Sequence, residues 1–149
     1  MDSDALLKLE NQICFPLYAA SRLITRLYQP YLEAWGLTYP QYLVLLFLWE
    51  KEKGYVQQIA QSLFLETNTV TPLLKRMEQA QWIERRRCVE DERKVEVLLT
   101  QKGRDLKAEA HCLPQRLVSH LNLSLEELHH LKVQLQKITE TLEKVEDKK

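Results

Sequence analysis

Between Leu63 and Met77 the chain reads Leu-Phe-Leu-Glu-Thr-Asn-Thr-Val-Thr-Pro-Leu-Leu-Lys-Arg-Met, and the fold turns on how this stretch is read. Val70, Leu73, Leu74 and Met77 recur at helical spacing and build one apolar face, predicting a helix over 69–79 after a turn at 65–68. Its beginning is unusually polar. Thr67, Asn68, Thr69, Thr71 and Pro72 occupy the turn and the first windings, with Lys75 and Arg76 a turn later. Hydroxyls, side-chain amides and the free N–H groups of a helix start are what phosphates and base edges pair with. A solvated amphipathic helix would show the same period, so the flanks have to choose between the two readings.

Upstream, Ile59, Ala60 and Leu63 give a short helix over 57–63 an inward face. Downstream the period changes to two. Strands are predicted at 81–87 and 94–99 around the polar turn Cys88–Glu92, with Val95, Val97 and Leu99 alternating against Lys94, Glu96 and Leu98. Short helix, tight turn, second helix and hairpin follow one another in the order of a winged helix-turn-helix. The hairpin carries Arg85, Arg86, Arg87, Arg93 and Lys94, five cations within ten residues, suited to the minor groove and its flanking phosphates. Asp91, two residues before Arg93, is placed to hold that guanidinium by a bidentate pair. Glu84, Glu90 and Glu92 dilute the positive charge.

Helical elements are predicted on both sides. Residues 4–33 carry a helical pattern that stops at Gly36, and Thr38 with Pro40 starts a helix running to Lys53–Gly54. Thr100 caps a helix reaching about His120. Ser124 and Glu127 form a capping box that opens a long helix through Leu128, Leu131, Leu135, Ile138, Leu142 and Val145, an apolar stripe too long for one small domain to cover. The fold class is mainly α with a small β-hairpin: an N-terminal helix (1–36), a winged helix-turn-helix (37–100) and C-terminal helices (101–149).

Bulk properties fit this plan. Three Gly and five Pro in 149 residues favour helices over a sandwich or barrel. No apolar run approaches the roughly 20 residues that cross a bilayer, and the start Met1-Asp-Ser-Asp-Ala5 lacks a basic, then apolar leader. We expect a cytoplasmic protein with no membrane partner. Twenty-one basic residues balance twenty-one acidic ones, so a nucleic-acid site has to be a local basic surface. Cys14, Cys88 and Cys112 offer neither a CxxC pair nor zinc spacing, and His111, His120, His129 and His130 add no ligand set. No metal and no cofactor are expected.

The segment Leu63–Met77, together with Glu90-Asp-Glu-Arg93 and the strand ending Leu99-Thr100, resembles the MarR family of repressors. Asn11-Gln-Ile-Cys-Phe15 and Leu37-Thr-Tyr-Pro-Gln-Tyr-Leu43 are similar to its OhrR branch of organic-hydroperoxide sensors. The resemblance runs from about Leu9 to Leu99 and more weakly beyond. It implies a homodimer joined by its first and last helices and bound to a palindromic duplex operator. It also implies that Cys14 is the redox-sensing thiol, that organic hydroperoxide is its oxidant, and that Tyr28 and Tyr39 form its pocket. Two departures stand out. Gln81 takes the place where relatives end the recognition helix with Gly, and Pro16 interrupts what relatives keep as plain helix.

Two arrangements fit Pro16. Either it marks the first turn of a helix, placing Cys14 near an N-terminus that favours thiolate, or a helix continuous from Asp4 is kinked there. Tyr28 is fourteen positions from Cys14, about 21 Å along one helix, so their contact would have to cross a dimer. Tyr18, one turn from Cys14, can meet it within the chain. Relatives that carry a resolving cysteine place it near Ser119 or Leu123, which leaves Cys112 as a poor substitute. A one-cysteine route, with sulfenic acid capped by a small thiol in a mixed disulfide, is expected. The competing readings are a MarR-type repressor answering a small aromatic ligand, a thiol peroxidase and a structural helical protein. The wing argues against the peroxidase, lack of any duplex-DNA binding would point to the structural protein, and the expectation is a regulator rather than an enzyme.

Overall fold

The computed structural model describes residues 3–146. A one-turn helix, α1 (Ser3–Leu6), and a 3-10 turn (Leu9–Asn11) lead into the long helix α2 (Cys14–Trp35). The break answers the question left by Pro16. The helix is not continuous from Asp4; it begins at Cys14, and Pro16 sits in its first turn, where a missing N–H costs nothing. The Asn11 side-chain amide donates to the Ala5 carbonyl at 2.7 Å and that of Gln12 to the Leu6 carbonyl, folding the leading turn back on itself.

Gly36 closes α2 in the left-handed conformation (φ 67°), its N–H donating to Glu33 and that of Leu37 to Leu32. Helix α3 (Tyr39–Lys51) then opens on Thr38, whose N–H donates to Gln41 Oε1 at 2.9 Å. Its residues Tyr42, Val44, Leu45 and Leu48 are at most 1% exposed, and around them pack α2, the short helix α4 (Val56–Ser62), helix α5 (Thr67–Gln79) and helix α6 (Gln101–Ala110). Ile59, Val70, Leu74, Met77 and Val97 complete this core. All four apolar residues predicted to form the inner face of the 63–77 stretch are buried.

The sheet has three strands rather than the expected two. β1 (Lys53–Tyr55), β2 (Ile83–Arg87) and β3 (Val95–Leu99) are antiparallel in the order β1-β3-β2, with Ile83 opposite Leu99, Arg87 opposite Val95 and Lys53 opposite Leu98. Three-residue β1 has no period of its own to be read; it exists because β3 has a second edge to pair. The predicted helix from Thr100 to His120 is interrupted at His111–Cys112, dividing α6 from α7 (Leu113–Ser119), so Cys112 stands in a turn rather than inside a helix. Gly103 in α6 is required by crowding, since a Cβ there would run into the Trp82 carbonyl.

The chain divides at Leu113–Pro114. In the second unit, α8 (Leu125–Glu146) starts on the predicted capping box, with Glu127 Oε2 accepting from Ser124 N at 2.7 Å and Ser124 Oγ accepting from Glu127 N at 3.2 Å. None of its described residues is buried.

Gln81, the departure noted from sequence, takes the left-handed conformation that a glycine would supply (φ 63°). Its N–H donates to Glu78 and that of Trp82 to Met77, closing α5 as Gly36 closes α2. A side chain there costs about 1–2 kcal/mol, part of which glycine returns as backbone entropy. Gln81→Gly is therefore expected to stabilise the fold by roughly 0.5–1 kcal/mol in urea titration. An unchanged or lowered midpoint would show that the turn carries no strain.

Candidate nucleic-acid interface and thiol site

Helix α5 begins at Thr67, two residues earlier than predicted, which moves Thr67 and Asn68 from the turn into the first winding. Thr67, Asn68, Thr69, Pro72, Lys75 and Arg76 are exposed and Thr71 is half-buried, on the side away from Val70 and Leu73. Its N-cap Glu66 makes no side-chain bond to the helix start, so no carboxylate occupies the N–H groups there. Thr71 Oγ1 donates to the Thr67 carbonyl at 2.9 Å, which commits its proton and leaves the oxygen as an acceptor.

The wing differs from its sequence reading in which cations are free. Arg85 is half-buried and turned back to α5. Its Nε and Nη2 lie 2.9 and 2.8 Å from Glu78 Oε2, and its backbone N–H donates to Glu78 Oε1 at 3.0 Å. Arg86 forks onto Glu84 at 2.8 and 2.9 Å, and that fork holds the Glu84 carboxyl below its ordinary range and the Arg86 guanidinium above its own. Asp91 does not grip the Arg93 guanidinium as expected. Its Oδ1 accepts the Arg93 backbone N–H at 3.1 Å while its carbonyl accepts from Lys94, because a carboxylate two residues upstream closes the turn on the nearest donor. Arg87 and Arg93 remain exposed, and Lys94 lies over the Tyr55 ring at 5.7 Å. Cys88, also on the wing, places its Sγ 3.7 Å from the Tyr55 hydroxyl.

Cys14 is the first residue of α2 and is exposed. Tyr18, one turn on, is exposed and takes a hydrogen bond from Arg22 at 3.0 Å, with that guanidinium over its ring. Tyr28 and Tyr39 do come together. Their ring centroids are 5.0 Å apart, and Tyr42, which the sequence reading missed, completes the cluster at 5.6 Å from Tyr28 and 6.3 Å from Tyr39. The signal for it was present, since Tyr39 and Tyr42 stand three apart in one helix and share a face. Burial, reinforced by the neighbouring phenols, pushes Tyr28 up to about 12, and burial also raises Tyr39 and Tyr42. All three are thus neutral O–H donors at physiological pH. Cys14 and Tyr28 lie fourteen residues apart on one helix, about 21 Å, so the two halves of the predicted thiol site do not meet within one chain. Cys112 is exposed in its turn, with Sγ toward the Glu109 carbonyl at 3.8 Å. Among the described residues no His/Cys/Asp/Glu group could hold a metal, and no helix is long and apolar enough to cross a membrane.

Comparison with known proteins places this geometry. The family described as transcriptional regulator SarA/Rot matches residues 26–110. The organic hydroperoxide resistance transcriptional regulator of Bacillus subtilis is 47% identical over 136 residues, covering 91% of this chain and 92% of that one. A structure of reduced AbfR bound to DNA superposes with a TM-score of 0.79 at 35% identity over 97% of this chain and 99% of its own; AbfR is a Staphylococcus epidermidis protein. A structure of disulfide-formed AbfR gives 0.61 at 34% identity, over 95% and 94%.

The tyrosine cluster has a direct optical signature. Tyr28 should ionise near pH 12 by ultraviolet absorbance, two units above the ordinary 10.0. A folded value above the unfolded one contributes stability that is complete below pH 10 and is lost as pH rises toward 12. Tyr28→Phe should flatten that fall; an unaltered alkaline limb would show that Tyr28 is not desolvated.

Proposed function

Because the chain belongs to the MarR family of transcription regulators, among the organic hydroperoxide regulators, we propose that it is a homodimeric repressor released from a palindromic operator when an organic hydroperoxide oxidises Cys14. The observation that carries this reading is the separation of the two halves of the site. An exposed thiol opens α2, and a cluster of protonated phenols lies near the other end of that helix and on α3. Two copies packed antiparallel along α2 bring the thiol of one against the phenols of the other.

Exposed apolar surface supports the dimer. Ile13 and Leu23 on and before α2 are 74% and 60% exposed, and α8 shows Leu131, Leu135, Ile138, Leu142 and Val145 in alternating steps of three and four. That is the spacing of a seam between helices, and a monomer would leave it wet. DNA recognition falls to the polar face of α5, with Thr67, Asn68, Thr69, Thr71, Pro72, Lys75 and Arg76, and to the free wing cations Arg87 and Arg93. The DNA named in the reduced AbfR structure supports the same partner here.

The chemistry balances without a cofactor. The Cys14 thiolate attacks the distal oxygen of ROOH, the O–O bond breaks and the OH passes to sulfur as sulfenic acid. The alkoxide leaves as ROH with the proton that the thiol gave up on ionising. Free N–H groups at the start of α2 attract the negative charge of the attacking sulfur, and phenols from the second copy donate to the oxygen. A small cellular thiol of the cytoplasm then condenses with the sulfenic acid, losing water, and the added bulk in a shared site changes the separation of the two α5 helices. Each base contact that the shift spoils in a half-site costs as much as a mismatched base pair, about 1–3 kcal/mol.

Cys14→Ser should bind the operator normally and stay bound in hydroperoxide, whereas Cys88→Ser and Cys112→Ser should still be released in a gel-shift assay. If Cys112→Ser also stays bound, Cys112 resolves the sulfenic acid and no external thiol is needed; if Cys14→Ser is released like wild type, the redox reading is lost. Among the wing variants, Arg93→Ala should lower the slope of log affinity against log salt by about one, and Arg86→Ala, already neutralised by Glu84, should lower it much less. Equal slopes would show that the internal pair does not survive on DNA.

A further inference from the structure

Glu78 lies in the last winding of α5, one residue before its end, and its carboxylate is fully occupied by a single residue of the wing. Oε1 takes the backbone N–H of Arg85, and Oε2 takes both Nε and Nη2 of its guanidinium, all at 2.8–3.0 Å. The pair is shielded, with side-chain exposures of 22% for Arg85 and 35% for Glu78. Sheet order explains why a carboxylate is needed. β2 is an edge strand, paired only with β3, so its outward N–H at Arg85 has no ladder partner, and Glu78 supplies one. Strand alternation explains the direction. Arg85 shares its face with buried Ile83, while Glu84 and Arg86 form their own fork on the opposite face.

We propose that Glu78 is a positioning residue of the DNA interface, and that Arg85 pins the wing to the recognition helix instead of touching DNA. Helix α5 and the wing are joined covalently only through the Ala80–Gln81–Trp82 turn, and the three bonds to Glu78 fix the angle between them. A protein that reads one groove with a helix and the next with a hairpin makes both sets of contacts only if that angle matches the duplex. Glu78 thereby governs specificity without itself touching the duplex. The inference rests on the DNA-binding reading above.

The test uses the full-length dimer and two duplexes of equal length and composition: one selected by the wild type from a randomised pool, and its scrambled counterpart. Glu78→Gln keeps an oxygen for the Arg85 backbone N–H but removes the charge. It should lose at least tenfold affinity for the selected duplex and none for the scrambled one, and its hydroxyl-radical footprint should retain the α5 contacts while the wing contacts fade. Arg85→Gln, which leaves Glu78 in place, should show the same selective loss with no change in salt slope on the scrambled duplex. Equal losses on both duplexes would mean that the pair only supports the fold. A salt slope lowered by about one in Arg85→Gln would make Arg85 a direct phosphate contact. Either result overturns the proposal. A wild type that selects no duplex removes the DNA-binding reading itself, a failure distinct from these two.

Discussion

Helix α3 is apolar around most of its circumference, and a helix of that kind must be covered on most sides, Leu46 being the large apolar side chain it leaves at the surface. In this chain its coverage is the architecture. Tyr42, Val44, Leu45 and Leu48 are essentially without solvent, and the elements that enclose them are α2, which carries the thiol, α4 and α5, which form the helix-turn-helix, the sheet that bears the wing, and α6. Each Leu truncated to Ala in such a core costs about 2–5 kcal/mol, a large share of the roughly 5–15 kcal/mol by which a domain is stable. The phenol cluster is part of that packing. Tyr42 touches Tyr28 and Tyr39 on one side and Trp49 on the other, at 6.1 Å, and the Trp49 indole donates to the Gly103 carbonyl of α6 at 2.8 Å. A change at the tyrosines is thus a change in the core on which the DNA-reading elements rest.

Electrostatics then sorts the surface. The chain has no net charge, and its wing is not a simple basic fork. Glu78 and Glu84 each consume one arginine, and the Asp91 side chain closes the turn. What is left outward on the wing, Arg87 and Arg93 with Lys94 over the Tyr55 ring, is a small set of cations on a defined scaffold. A wing of this kind favours geometry over bulk attraction as the way a regulator meets DNA.

Much of this was legible in the sequence, and the reasons differ by element. Gly36, Thr38 and the Ser124–Glu127 box announce helix ends through local chemistry, and the apolar face of α5 follows from its period alone; all appear as read. The resemblance pointed to Cys14, whose sensing role stays a proposal, and to Tyr28 and Tyr39, whose rings do lie together. What escaped depends on partners distant in the chain or on choices between equal donors. β1 needs β3 to exist. Arg85 is one of three successive arginines, and only the packed position of Glu78 singles it out. Asp91 had two donors of Arg93 within reach and took the backbone one. Pro16 allowed two helices, and the structure chose the one that starts at Cys14.

Oxidation and release can be followed in one sample. The protein–operator complex is given organic hydroperoxide in substoichiometric steps, and at each step the fraction of DNA released is compared with the fraction of intact protein carrying an added oxygen or thiol, the site being assigned by peptide mapping. The account predicts that modification falls on Cys14 and that release rises in step with it. Release while Cys14 remains a free thiol, or a fully oxidised Cys14 with the operator still bound, would contradict it.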